Sequence, residues 1–300
     1  MNLEQFTEMI VMKLQDYCGE CVNVRAEDVL KYGGISYKGL YIQDGDNKPK
    51  PIFNLEEYYE RYKGGKLSIE ECMDEILDIL GQHENMSEIE AFAGKLTEWD
   101  NVKSKVYPVL IPQKGNKELL KFLVSKELLD LAIIYVIRDS MNGCNSATVK
   151  VNRSLFLHYG ISEEILHEQA LHNLEKEEYG FYDLEEIAMH MLVEGELAVG
   201  SAVEKLNKGR LYVLRNESSL YGAAGILNKK ILKEKVGEID CYVIPSSIHE
   251  LLFLSDSGER DKDEINAMIR EVNKTVEVQD RLSEHCYFYH GATQELRMCA

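Results

Sequence analysis

A pair of cysteines two residues apart, Cys18-Gly-Glu-Cys21, has the spacing that holds zinc or exchanges a dithiol for a disulfide. The pair follows a helical pattern and precedes a β-prone segment. Redox pairs of the thioredoxin type have the reverse order, with the helix dipole stabilising a thiolate at the helix N-terminus. No second pair at zinc spacing completes a ligand set. Two small packed residues, with no metal and no cofactor, are therefore expected. His167-Glu168 followed by His172 has the composition of a zinc-protease helix. Five residues, however, turn the two rings about 140° apart on a helix, which prevents a shared metal. His285, Cys286 and His290 offer a thiol and two bases. On a strand His285 and Cys286 face opposite ways, and His290 lies ~13 Å from Cys286 along its face, so a dyad is not expected.

Three further stretches survive longer. Tyr221-Gly-Ala-Ala-Gly225 opens an expected helix and could turn backbone N–H groups toward an anion. It lacks the Lys and Ser/Thr of a P-loop and the spacing of a dinucleotide fingerprint, so close packing by small residues is the better expectation. Pro245-Ser-Ser-Ile-His-Glu250 crowds two hydroxyls, an imidazole and a carboxylate into a turn between two apolar strands. Polar residues on loops held by rigid strands are where sites lie; a capped turn whose side chains satisfy local backbone groups is the alternative. Asn173 falls on the apolar face of the helix that carries Leu166, Ala170 and Leu174, about 20° from Leu166. A buried amide there either positions a ligand or ties the helix to neighbouring backbone. Ser246, Ser247, His249, Glu250 and Asn173 are thus the candidate ligand-binding residues. Neither serine sits in the Gly-flanked elbow that presents a catalytic hydroxyl, which favours binding over nucleophilic attack.

The elements that must position these groups are legible in outline. Leu3, Phe6, Ile10 and Leu14 recur at helical spacing, so the chain opens on an amphipathic helix rather than on a signal peptide. Residues 68–80 form the clearest helix: Ser68 and Glu71 make a capping box, Ile69, Met73, Ile76 and Leu80 form the stripe, and Gly81 is expected to stop it. Residues 21–25 and 35–42 read as strands, with a turn over 45–51 and an acidic, polar stretch over 83–90. Farther on, 105–111, 128–138, 147–151, 211–215, 241–245, 250–254 and 286–290 read as strands, and 162–176, 183–193 and 261–276 as helices. The order is not a βαβ alternation. An α+β fold follows, with a mixed, largely antiparallel sheet, packed helices and a more helical N-terminal lobe. The lobes divide at residues 1–104 and 105–300.

Composition bounds the function. The formal charge of −18, from 52 acidic and 34 basic residues, repels a phosphate backbone, so direct binding of nucleic acid is not expected. The longest aliphatic run, over 128–137, contains Asp130 and is far shorter than the ~20 residues of a membrane helix. Seven cysteines without a dense framework fit free thiols in a reducing compartment. A cytoplasmic protein is expected.

Val106-Tyr-Pro, Leu131-Ala-Ile-Ile-Tyr-Val, Gly160-Ile-Ser with Ala170-Leu-His-Asn-Leu174, Leu211-Tyr-Val-Leu, Tyr221-Gly-Ala-Ala and Ile244-Pro-Ser-Ser-Ile-His-Glu250 together resemble a domain-of-unknown-function family of Clostridia-type Firmicutes. The resemblance covers most of residues 100–300 and, more loosely, the first hundred. It implies an intracellular bacterial setting and assigns no activity, cofactor or catalytic residue. The functional expectation is a non-catalytic cytosolic protein that binds a protein or small-molecule ligand. A hydrolase using the Ser246-Ser247-x-His249-Glu250 turn is the alternative, and an acidic decoy of nucleic acid the second.

Overall fold

The computed structural model describes residues 1–43, 45, 50–83, 94–140, 146–184, 210–256 and 261–299. They form two compact units, Met1–Thr97 and Glu98–Ala300. The fold is α+β, with three antiparallel sheets of three, four and six strands.

In the first unit, helix α1 (Leu3–Cys18) starts at Asn2, whose side chain accepts the Gln5 N–H at 2.9 Å while Gln5 accepts the Asn2 N–H at 3.1 Å. These two bonds satisfy donors that no helical carbonyl reaches. The i, i+4, i+8 spacing of Phe6, Ile10 and Leu14 places all three in the core. Strands β1 (Asn23–Leu30) and β2 (Ser36–Gln43) pair antiparallel, and β3 (Phe53–Asn54) joins the free edge of β2. The Val24↔Ile42 and Ala26↔Leu40 pairs belong to the same core as α1. Helices α2 (Leu55–Lys63) and α3 (Ile69–His83) complete it through Leu55, Tyr58, Cys72 and Ile76. The Ser68–Glu71 capping box forms as the spacing requires, at 2.7 and 3.2 Å. Gly81 does not stop α3, which runs on to His83. A glycine lowers helix propensity by only ~1 kcal/mol, and a neighbour that continues the helix overrides it.

In the second unit, β6 (Leu131–Ser140) is the spine of the four-stranded sheet. One edge pairs with β4 (Val106–Pro112) along its length; the other is shared by β5 (Ser125–Leu128) and β7 (Ser146–Lys150). The apolar run of β6 is buried from Leu131 to Ile137, so the strand is covered on both faces there. Its start departs from the sequence reading: the chain reverses at Leu129 and Asp130, with Leu129 at φ 57°, so Leu128 closes a hairpin instead of beginning β6. Helix α4 (Glu163–Leu174), capped by Ser162, packs on β4.

The six-stranded sheet has the order β13-β12-β10-β11-β9-β8. Its strands are β8 (Tyr179–Asp183), β9 (Leu211–Asn216), β10 (Cys241–Ser247), β11 (Glu250–Ser255), β12 (Tyr287–His290) and β13 (Glu295–Met298). Phe181 stacks on Tyr212 at 4.9 Å and meets Phe253 edge-on at 5.6 Å, which fixes the inner face of β8, β9 and β11. Helix α5 (Lys229–Lys235) follows β9, and α6 (Lys262–Val272) packs Ile265 and Ile269 beside Cys286 and Cys299. The helix expected over 183–193 lies outside the described residues beyond Leu184, and Asp183 itself ends β8. The polar stretch expected over 84–90 also lies outside them, as do parts of the turn over 45–51. No described helix is long and apolar enough to cross a membrane.

Candidate functional site

The turn over residues 246–250 is the tip of the β10–β11 hairpin. Ser247 pairs with Glu250, leaving Ile248 and His249 as the two loop residues. Each polar side chain has a local task. The Ser247 hydroxyl accepts the His249 backbone N–H at 3.1 Å, and Ser246 donates to Glu250 Oε1 at 3.2 Å. Ile248 is buried, its N–H bonded to the Asp280 carbonyl at 2.8 Å and its carbonyl accepting the Ala223 N–H at 3.3 Å.

His249 Nδ1 accepts the backbone N–H of Tyr221 at 3.2 Å, and Nε2 faces Asp280 Oδ1 at 3.5 Å. A general base needs one nitrogen within reach of the nucleophile. Here both nitrogens face other partners, and the two serines are bonded elsewhere. The geometry therefore holds Tyr221 rather than activating a hydroxyl.

Tyr221 is where the turn meets a larger cluster. It has φ 58° and ψ 27°, a left-handed conformation that costs a non-glycine residue ~1–2 kcal/mol. Its ring stacks on His249 at 5.8 Å and 24°. The guanidinium carbon of Arg138 lies 5.8 Å from the Tyr221 ring and 4.5 Å from that of Tyr107. Four side chains from β4, β6, the segment after β9 and the β10–β11 turn thus form one aromatic and cationic row, Tyr107, Arg138, Tyr221, His249. Such contacts contribute roughly 0.5–2 kcal/mol each.

Arg138 Nη1 donates to Glu177 Oε1 at 2.7 Å, and the two side chains are only 14% and 16% exposed. Asn216 Nδ2 donates to the same oxygen at 3.0 Å and to the Leu220 carbonyl at 2.9 Å. The remaining atoms of the pair are buried without a hydrogen-bond partner: Arg138 Nε and Nη2, and Glu177 Oε2. Beside them lies the Tyr179 hydroxyl, on which the Glu177 carboxylate acts both through its charge and through a side-chain hydrogen bond. Burial first and Glu177 second push that phenol well above its ordinary range, so it stays protonated. Buried groups of this kind normally have partners, and each one left without costs about 1–3 kcal/mol.

Asn173 donates its amide to the carbonyls of Lys103 at 2.7 Å and Val106 at 2.8 Å, and its oxygen accepts from Gln169. It anchors α4 to the start of β4, next to Tyr107, and no bond from it reaches the 246–250 turn. Small residues after Tyr221 serve close packing: a Cβ on Gly222 would lie 2.4 Å from the His249 carbonyl oxygen, and one on Gly225 would lie 2.5 Å from the Tyr179 ring.

The remaining sequence candidates are scattered. Cys18 and Cys21 are free thiols at the end of α1 and just beyond it, and burial raises Cys18. His167 Nδ1 meets the Tyr135 hydroxyl at 3.0 Å, whereas His172 is exposed. Burial, with Cys299 alongside, pushes Cys286 up to about 12, which makes it a poor nucleophile. Among the described residues, no group of three or more His, Cys, Asp and Glu is arranged to hold a metal ion. Sequence reasoning passed over Arg138, Glu177 and Tyr107. The signal available was a single arginine closing an otherwise apolar strand, 131–137.

Fold and site together define an α+β protein with a buried ion pair under a row of aromatic side chains. Comparison of the whole sequence then places it: the chain belongs to a family of unknown function (DUF5688), whose model matches residues 3–291. Among curated proteins and among solved structures, none matches it significantly.

Proposed function

We propose that this chain is a non-catalytic binding protein of the bacterial cytosol, of the Clostridia-type Firmicutes that its sequence resembles, and that its ligand lies on the Tyr107, Tyr221 and His249 rings above the Arg138–Glu177 pair. The observation that carries this reading is the row itself, half-buried aromatic side chains from separate elements gathered over one buried guanidinium. A ligand laid on those rings gains contact with their faces and the attraction of the cation beneath them. In this reading the 246–250 turn forms the rim: Ser246, Ser247 and Glu250 shape it, and His249 holds Tyr221 in its strained conformation. Asn173 fixes the strand start that presents Tyr107. Binding is favoured over hydrolysis because neither nitrogen of His249 faces a hydroxyl.

The test is affinity capture from native cytosol, with mass spectrometry of the small molecules retained by the wild type and by an Arg138→Met/Glu177→Met double variant. Removing both charges together matters, since deleting one partner of a buried pair costs about 3–5 kcal/mol and risks unfolding. A compound enriched on the folded wild type and lost on the folded double variant is the expected result. Equal retention by both contradicts the reading.

A further inference from the structure

Three segments meet at the tip of the β10–β11 hairpin. The Ile248 N–H bonds the Asp280 carbonyl at 2.8 Å and the Ile248 carbonyl accepts the Ala223 N–H at 3.3 Å, so backbone fastens both the Val278–Asp280 turn and the segment after β9 to the hairpin. His249 adds a fastening of another kind, because it titrates. A backbone N–H only donates, so the 3.2 Å bond from Tyr221 requires a lone pair on His249 Nδ1. The ring is therefore neutral, with its one proton on Nε2, the nitrogen that faces Asp280 Oδ1 at 3.5 Å. A second proton has only Nδ1 to go to, where it sets an N–H against the Tyr221 N–H. That bond is then lost, and Tyr221, left-handed at φ 58°, loses a restraint on a strained conformation.

Acid exchanges one partner of the ring for another. Asp280, on the Val278–Asp280 turn, is the carboxylate facing the imidazole, and an imidazolium gains a charged partner there. Glu250, on the hairpin itself, takes the Ser246 hydroxyl. From the third segment Tyr221 stacks on the imidazole at 5.8 Å, with Arg138 5.8 Å from the tyrosine ring and paired to Glu177. The His249 and Asp280 side chains are 30% and 31% exposed, so protons reach both from water. We propose that His249 is an acid-released latch: neutral, it holds Tyr221 in the row of rings; protonated, it turns to Asp280 and lets Tyr221 go. The row is complete above the pH at which His249 takes its second proton and opens as pH falls through it. The latch stands on these hydrogen bonds; its consequence, that acid releases a ligand held on the row, rests on the binding reading above.

The experiment is NMR of the full ¹⁵N-labelled chain between about pH 8 and pH 5, the range in which histidine side chains change charge, following the His249 ring nitrogens and the Tyr221 amide. At the upper end the ring should carry its proton on Nε2. As the ring takes up its second proton, the Tyr221 amide should shift with the same midpoint and, corrected for intrinsic rates, exchange with solvent at least about tenfold faster. Asp280→Asn, which removes the carboxylate that favours the imidazolium, should move that midpoint to lower pH. His249→Gln, whose amide oxygen accepts from Tyr221 and takes up no proton, should keep the Tyr221 amide protected across the range. The wild-type titration decides without the variants: a proton on Nδ1 at the upper end, or a Tyr221 amide that stays unchanged while His249 titrates, overturns the latch and leaves the binding reading to the capture experiment. A captured compound held equally at both ends of the range by a chain whose latch opens contradicts the binding reading and leaves the latch standing.

Discussion

At the scale of single residues, burial sorts titratable groups into those that stay neutral and those that must be paired. Tyr135 lies in the interior of β6, where burial raises its phenol far above the ordinary range, so its hydroxyl stays protonated and shares a 3.0 Å hydrogen bond with His167 Nδ1. Burial first, and Lys126 second, hold His167 below its ordinary value of 6.5. The sign of the consequence is definite. Below about pH 6.5 the unfolded chain takes up this proton more readily than the folded one, so the stabilisation is complete above that pH and is lost as acid is added. His167→Gln, which can still accept from Tyr135, should flatten the fall in urea midpoint between about pH 7 and pH 5. Parallel pH profiles for variant and wild type would show that His167 is not the group responsible. Arg138 illustrates the opposite outcome, a charge kept inside because Glu177, itself held by Asn216, compensates it.

At the scale of elements, the parts that announce themselves are those with local rules. The α1 stripe, the Ser68–Glu71 capping box and the strands around the 246–250 turn follow from spacing alone, and the structure has them where that spacing puts them. Elements set by tertiary context were less visible. Strand β1 runs from Asn23 to Leu30 although Glu27 and Asp28 interrupt its apolar pattern, because both side chains are exposed and β2 supplies the pairing. Helix α2, with sequence LEEYYERYK, buries only Leu55 and Tyr58 on a largely charged surface, too thin a stripe to mark it. Leu129 turns the chain without glycine or asparagine. The turn of the candidate site could be read, but the ion pair beneath it could not. Glu177 lies 39 residues from Arg138, inside the acidic run Glu175-Lys-Glu-Glu178, which reads as solvated surface. The packing between elements can be probed at Gly222. A Cβ there would meet the His249 carbonyl oxygen at 2.4 Å and the Asn216 nitrogen at 3.0 Å, so Gly222→Ala should destabilise by roughly 1–3 kcal/mol. Gly81→Ala, at an exposed helical site with open space around it, should be neutral or stabilising by up to about 1 kcal/mol. Chemical denaturation compares them, and an unperturbed Gly222→Ala would mean that the segment after Tyr221 is not clamped against the turn.

For the whole molecule, the formal net charge is −18. A balance of that sign gives phosphate-rich partners no general electrostatic attraction. In the proposed reading the ligand is therefore held by local contact, on side chains from two sheets. The most direct measurement is the electron density over the Tyr107, Tyr221 and His249 rings in crystals grown with a compound captured from native cytosol. The account predicts a molecule lying against those rings. Density for that compound elsewhere on the protein, or none at all, would contradict it.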